Sequence, residues 1–480
     1  MERMTRAAGP EQRSTSPLAQ LSRQLNSACT AAVQPLELAA ILEAEGLTDS
    51  LAQQRYGEVS VFSCAERLYG MVPYRAPGMP VVRAAPRPLP VRSLLRGGLY
   101  LLPALWSPAL LALAPAADVF HGAGLGLLSA SLFGWGWMQG VAYVGFTGLA
   151  FAPAVAALRL RRAGMAAAAL GGGLAFALAA ALGQDPTLVT LAALSVSVYL
   201  AAATALLVLG QEVTLLTASL PALLWLGVTR VWPGAADLSW AALPLPPVPA
   251  ITLLLAVGGP LLAAWEATRH AGLAGAVQGS WRPVPWTQAG LHCVYGWLCA
   301  AAMSLVFLLP LSGLSPDAAG LTGLSWSLAP LVLTLGFMEF STARVHRNLR
   351  LQAQRPDPIG RIVWGALGQV GAGAGRYLAL LAGTYLAAGG VTAALSMTAL
   401  PVPLLAGHLL MALSLLLSSL LNNFGLLPRV LIAWTVAVGV QLGALFLTGP
   451  ETAYLLGAGA AAVSLSLLTV LAVRDVRHLM

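Results

Sequence analysis

The chain contains no lysine. All 26 of its basic residues are arginine, set against 18 acids. Charge of either sign is scarce: 9% of 480 residues, where a soluble protein carries about 25%. That shortage excludes an ordinary soluble domain, because most of the length has to lie where charge is excluded. With 58% hydrophobic residues, the composition predicts an all-α polytopic membrane protein. The net charge of +8 does not point to nucleic acid as a partner, since the arginines lie in short stretches between apolar runs and form no continuous patch. The missing lysine and the alanine excess read as a GC-rich genome rather than as function. Cysteine is scarce too: Cys29, Cys64, Cys293 and Cys299 have no metal-ligand spacing and read as free thiols. There is no GxxxxGK[ST] for an ATPase, no HExxH, no GxSxG in an elbow context and no pair of membrane aspartates. No enzyme activity, cofactor or metal is therefore expected.

What is present is organised in stretches. Residues 1–34 are polar and expected to be disordered. Residues 35–74 read as a small helical cytoplasmic unit. PLELAAILEAEG opens at Pro35 and stops at Gly46, and TDSLAQQRYGE is capped by Thr48 or Asp49. VSVFSCAERLYGMV then places Val61, Phe62, Cys64, Ala65, Leu68 and Tyr69 at helical spacing. The unit is either a cap on the membrane domain or a docking element. Residues 75–97, rich in Pro and Arg, read as an extended linker whose arginines sit near anionic headgroups, making membrane lipids the first expected partner.

From residue 98 twelve apolar runs follow, at about 98–117, 123–151, 163–183, 187–209, 212–229, 248–268, 284–311, 321–341, 361–389, 400–421, 426–448 and 451–473. Each suffices to cross ~30 Å of hydrocarbon at ~1.5 Å per residue, given some tilt or short ends. The first would serve as the internal targeting signal. Charge checks the count. Alternate connections carry Arg159, Arg161 and Arg162, then Arg269 and Arg282, then Arg344, Arg347, Arg350 and Arg355, then Arg429, with Arg474 and Arg477 in the tail. The opposite connections carry Asp118, Asp185, Asp237, Asp317 and Glu451, with Arg230 the basic exception. The positive-inside rule then predicts a multi-pass protein of the bacterial inner membrane with both termini cytoplasmic. The longest basic loops follow runs 2 and 8, so residues 98–268 and 284–480 read as two six-helix bundles in a 6+6 repeat.

Few residues stand out as candidates. In GQVGAGAGRYLALLAGTYLA, residues 368–387, Arg376 lies about 22 Å along run 9, near the midplane, where a charge costs at least ~2.5–3.5 kcal/mol. No acid lies at matching depth. It reads either as bonded to carbonyls or as facing a cavity, where its planar fork suits a phosphate. Gln139 and Tyr143 share a face with Trp135 and read as a sugar-stacking wall or as packing. Glu339 reads as an ion pair with Arg344 or Arg347, or as a cytoplasmic gate. Glu266 and Arg269 form an i, i+3 pair. Glu212 is expected to be solvated, and Asn422, Asn423 and Arg429 to mark a cytoplasmic turn. His292 and His408 read as hydrogen-bonded packing residues or as proton-coupling groups.

The loop AALRLRRAG after run 2 lacks the Asp and Gly spacing of the major facilitator signature. The basic loops after runs 2 and 8, the Gly- and Ala-rich run with a central Arg, and the Leu- and Gly-rich C-terminal runs are similar to the multidrug/oligosaccharidyl-lipid/polysaccharide exporter superfamily. That resemblance spans about residues 95–475. It implies an alternating-access exporter or flippase of a lipid-linked or polymeric saccharide, with Arg376 on the phosphate and Gln139 and Tyr143 on the sugar. Polysaccharide-synthesis machinery is then the expected partner of the N-terminal unit. A proton-coupled drug exporter using His292, His408 or Glu339, and a non-transporting scaffold, remain the alternatives.

Overall fold

The computed structural model describes residues 17–25, 29, 35–71, 90–111, 134–181, 183, 186–231, 248–279, 284–308, 327–353, 359–394 and 399–474. The chain divides into two compact units, Met1–Pro88 and Leu89–Met480.

The first unit holds α1 (Pro17–Gln24), α2 (Pro35–Ala44), α3 (Asp49–Tyr56) and α4 (Val61–Met71). Thr48 caps α3 by accepting from the Leu51 N–H, while the Asp49 carboxylate accepts from the Val61 N–H at 2.7 Å and so caps the following helix. Gly46 and Gly57 take the left-handed conformation (φ 85° and 72°) that ends α2 and α3. Leu38, Leu42, Ala52, Val61, Cys64, Ala65 and Leu68 form its core. Two expectations change. The stretch expected to be disordered contributes α1, because Leu18 and Leu21 recur at i, i+3 and pack on that core. Phe62 points outward, 43% exposed, since the buried stripe runs through Val61, Ala65 and Leu68 instead.

Among the described residues the second unit holds twelve helices, one for each apolar run: α5 (Pro90–Leu111), α6 (Trp135–Leu149), α7 (Pro153–Ala181), α8 (Pro186–Val208), α9 (Glu212–Val231), α10 (Val248–Gly279), α11 (Trp286–Leu308), α12 (Leu328–Ala353), α13 (Ile359–Ala394), α14 (Val402–Asn423), α15 (Leu427–Leu447) and α16 (Pro450–Arg474). Among the described residues, ten of them are long and apolar enough to cross a membrane. The other two are α5, whose first turns carry Arg92 and Arg96, and α6, of which 15 residues are described. The start of α5 at Pro90 shortens the expected linker. Proline at a helix start loses no hydrogen bond and has its φ already set, so the helix extends back over both arginines.

The packing is that of a repeat. Helices α5–α10 surround one hydrophobic core and α11–α16 another. In the first half α7 packs on α6, α8 and α10, with α8 on α6 and α10, and α9 on α10. Adding six to each number gives contacts that are also present: α13 on α12, α14 and α16, α14 on α12 and α16, and α15 on α16. The halves meet through α5 on α12 and α6 on α11, two pairs that exchange under the same operation. Three exposed tryptophans, Trp265, Trp286 and Trp364, stand within four residues of an arginine in the sequence, as interfacial aromatics do.

Candidate functional site

The seam between the halves is built on glycine. A Cβ on Gly97 of α5 would fall on the Leu333 carbonyl oxygen of α12, and one on Gly336 of α12 on the Ser93 carbonyl oxygen of α5. At the other crossing, a Cβ on Gly136 of α6 would strike the Trp297 ring of α11. One on Gly140 would come 2.9 Å from the Ala289 carbonyl oxygen, and one on Gly296 of α11 would come 2.8 Å from the Gly136 Cα. Backbones touch at both crossings, as small residues allow in lipid. Trp137 and Trp297 close the second crossing edge to face at 5.0 Å.

Beside the first crossing lies an ionic cluster. The Arg96 guanidinium donates to Glu212 Oε1 through Nε (3.0 Å) and Nη2 (2.6 Å), and to Glu339 Oε2 through Nη1 (3.2 Å). The Tyr100 hydroxyl donates to Glu339 Oε1 at 2.6 Å. Arg96, Tyr100 and Glu212 belong to the first half, and Glu339 to the second. Glu212 is thus not solvated; its side chain is 5% exposed because the arginine of another helix covers it. Glu339 pairs with Arg96, across the seam, rather than with Arg344 or Arg347. Beside the second crossing, Tyr143 of α6 stacks on His292 of α11, with ring centroids 4.2 Å apart. His292 Nδ1 bonds the Gln288 carbonyl at 2.8 Å, and Asn422 Nδ2 lies 3.4 Å from Nε2. Gln139 packs its stem on Gly296, and Trp135 lies against the core of the second half. Trp135, Gln139, Tyr143, His292 and Glu339 therefore all lie along the seam.

Arg376 and His408 lie apart from it. His408 is fully buried in the second half, bonded to Ser327 Oγ and to the Tyr454 hydroxyl, each at 2.9 Å. The Phe307 and Tyr385 rings stack on it, and Tyr385 in turn donates to the Ser327 carbonyl at 2.7 Å. That network satisfies both imidazole nitrogens and fixes the ring. Arg376 stands at the middle of α13 and is exposed, its Nε donating to the Ala372 carbonyl one turn back at 3.0 Å. Among the described residues no acid lies within ion-pair distance of it. Its face of α13 is small: Ala372, Gly375, Ala379 and Gly383 are exposed beside it, while Val370, Tyr377, Leu381 and Tyr385 are buried on the other. Of the three glycines flanking it, Gly373 packs closely, against Val345, and Gly371 and Gly375 face open space. Glu266 and Arg269 pair at 2.7 Å on the surface of α10, a contact worth at most about 1 kcal/mol.

Among the described residues no three His, Cys, Asp or Glu come together as metal ligands. The Arg96 cluster escapes sequence reading because its members lie 116 and 243 residues apart. The one local signal was Pro90 followed by the helical VRSLLRGGLYLL.

These features define a polytopic α-helical membrane protein whose described residues form two six-helix halves joined by two glycine crossings. No family model matches the chain, and no curated protein matches it by sequence. The chain is similar to the crystal structure of a eukaryotic MATE transporter, with 14% sequence identity and a TM-score of 0.45, over 82% of this chain and 97% of that one.

Proposed function

We propose that this protein is a membrane transporter in which two six-helix halves rock against each other about the paired glycine crossings. The observation that carries this reading is the seam itself. The halves have separate cores, touch backbone to backbone at two symmetric places, and among the described residues share an ionic cluster beside one crossing and a Tyr143–His292 stack beside the other. Separate cores let each half move as a body. Close crossings give a pivot, since a rigid-body rotation changes contacts least where the axes are nearest. Alternating access of this kind fits a repeat fold.

The substrate reading is an anionic, lipid-linked or polymeric saccharide that is exported, with Arg376 holding its phosphate. Arg376 lies about 18 Å along the helix from the interfacial Trp364, near mid-membrane, on a face whose small side chains leave room for a ligand. Its guanidinium is occupied by one carbonyl and keeps donors free for phosphate oxygens. A saccharide wall of Gln139, Tyr143 and Trp135 requires the seam to open, since these residues are packed there now. The drug-exporter reading shares the same pivot and differs at Arg376, which a neutral or cationic cargo does not need. Vesicles containing the protein and a fluorescent short-chain lipid-diphosphate saccharide test this. Arg376→Ala should abolish transbilayer movement while the variant expresses and melts as the parent does. Full activity in that variant would remove the anionic substrate, and an unfolded variant would make Arg376 structural.

A further inference from the structure

We infer that the first half binds an acidic phospholipid between α7 and α10. Its phosphate lies on Arg161 and Arg162, and its acyl chains follow the apolar groove that runs on from them. This goes beyond the transporter reading and does not depend on it. The way Arg161 is held carries the inference. Its guanidinium lies over the Trp265 ring of α10, 5.2 Å from the centroid. Such a stack fixes the plane of the fork and leaves its edge for a ligand. The Arg161 Nε is buried with no hydrogen-bond partner, and Arg162, the next residue, is exposed. Among the described residues no acid lies within ion-pair distance of either arginine. α7 itself carries no acid, and Glu266, beside Trp265 on α10, is already taken by Arg269 at 2.7 Å. The site is therefore cationic. A zwitterionic headgroup would bring a cation of its own to it, whereas an acidic one brings only negative charge.

The surface beside the pair has the order of a lipid. α7 and α10 pack extensively, with Arg161 near the start of α7 and Trp265 in the later half of α10. Four residues on from Arg161 stands Met165, and four residues back from Trp265 stands Leu261; both are exposed. Ala169 of α7, with Leu262 and Leu254 of α10, continues the exposed apolar lining away from the arginines. Cation, half-exposed indole and apolar run thus follow one another as headgroup, interface and chains do. A soluble anionic protein would satisfy the arginines and have no use for the apolar run. The second half has no counterpart, since α16 carries no aromatic residue after Tyr454 and α13 touches it only lightly. The lipid braces the closely packed half and leaves the other free.

The test is native mass spectrometry of the full chain in a neutral detergent, titrated with dioleoylphosphatidylglycerol or with dioleoylphosphatidylcholine. The parent should retain the glycerol lipid and shed the choline lipid. R162Q, at an exposed position, should weaken retention about fivefold, and R161Q/R162Q about fivefold again. W265L should weaken it with both arginines still in place. R344Q/R347Q removes two exposed arginines from α12 and should leave retention at the parent level. Equal retention of the two lipids overturns the inference. So does a loss in R344Q/R347Q as large as in R161Q/R162Q, which would reduce the effect to bulk charge. Inorganic phosphate that competes as well as the lipid would make this a simple anion site and overturn it too. If R161Q/R162Q fails to fold, R162Q decides, and unchanged retention there overturns the inference.

Discussion

Helices α7 and α13 occupy equivalent places in the two halves and are used differently. α7 packs extensively on α6, α8 and α10, and buries Leu160, Gly164, Ala168, Gly171, Gly172 and Ala175. α13 lies along α12 and touches α14 and α16 only lightly. Their glycines separate the two roles. On α7, a Cβ on Gly171 would come 2.9 Å from Ser197 Oγ, and one on Gly172 3.3 Å from Leu194 Cδ1. On α13, a Cβ on Gly368, Gly371, Gly375, Gly383, Gly389 or Gly390 would meet nothing within 4 Å beyond its own helix backbone. Gly365 and Gly373 of α13 still pack, on Gln352 and Val345 of α12, and Gly173 of α7 is open, but most of the small residues make a helix contact on α7 and an open face on α13. That asymmetry puts Arg376, which has no acid within ion-pair distance among the described residues, on the loosely packed helix; under the transporter reading proposed above, α13 is the element that would meet the cargo.

The sharpest way to break this contrast is at the seam, which both helices presuppose. Gly336→Val drives a side chain into the Ser93 carbonyl and should cost about 3 kcal/mol or more, read as loss of the folded protein by size-exclusion chromatography. Next, Gly171→Val on α7 should cost about 1–3 kcal/mol, while Gly375→Val on α13 should leave thermal unfolding within about 0.5 kcal/mol of the parent and slow transport instead. Equal destabilisation by the two would erase the distinction. Arg376→Lys should keep the fold and retain only part of the transport rate, because a point charge replaces a planar fork. The smallest effect lies in the N-terminal unit. Burial pushes the Cys29 and Cys64 thiols up from their ordinary range, so both should react slowly with maleimide near neutral pH and faster only as the unit unfolds.

Much of this was legible in the sequence, for physical reasons that vary from place to place. The twelve helices follow the twelve apolar runs because lipid demands a length of about 20 apolar residues from each. Arg376 was legible for the same reason, as a charge with no partner in its run. The seam was not. Gly97 and Gly336 read as ordinary small membrane residues, and only their contact with a distant backbone gives them a role. Arg96 read as linker because RAPGMPVVRAAPRPLPVRSLLRG is rich in proline, yet Pro90 starts a helix instead of preventing one. Glu212 in its tight joint looked solvated, since nothing near it in the chain reveals the arginine that covers it.

The most direct test of the central claim is a cysteine scan of residues 371–386 in the full chain, using a membrane-impermeant, water-soluble maleimide. The account predicts reaction at 372, 376, 379 and 383 and silence at 373, 377, 381 and 385, with the equivalent face of α7 at 167, 168, 171 and 175 silent throughout. Silence along the whole of α13, or equal reaction on α7, would mean that the face bearing Arg376 lines no aqueous path.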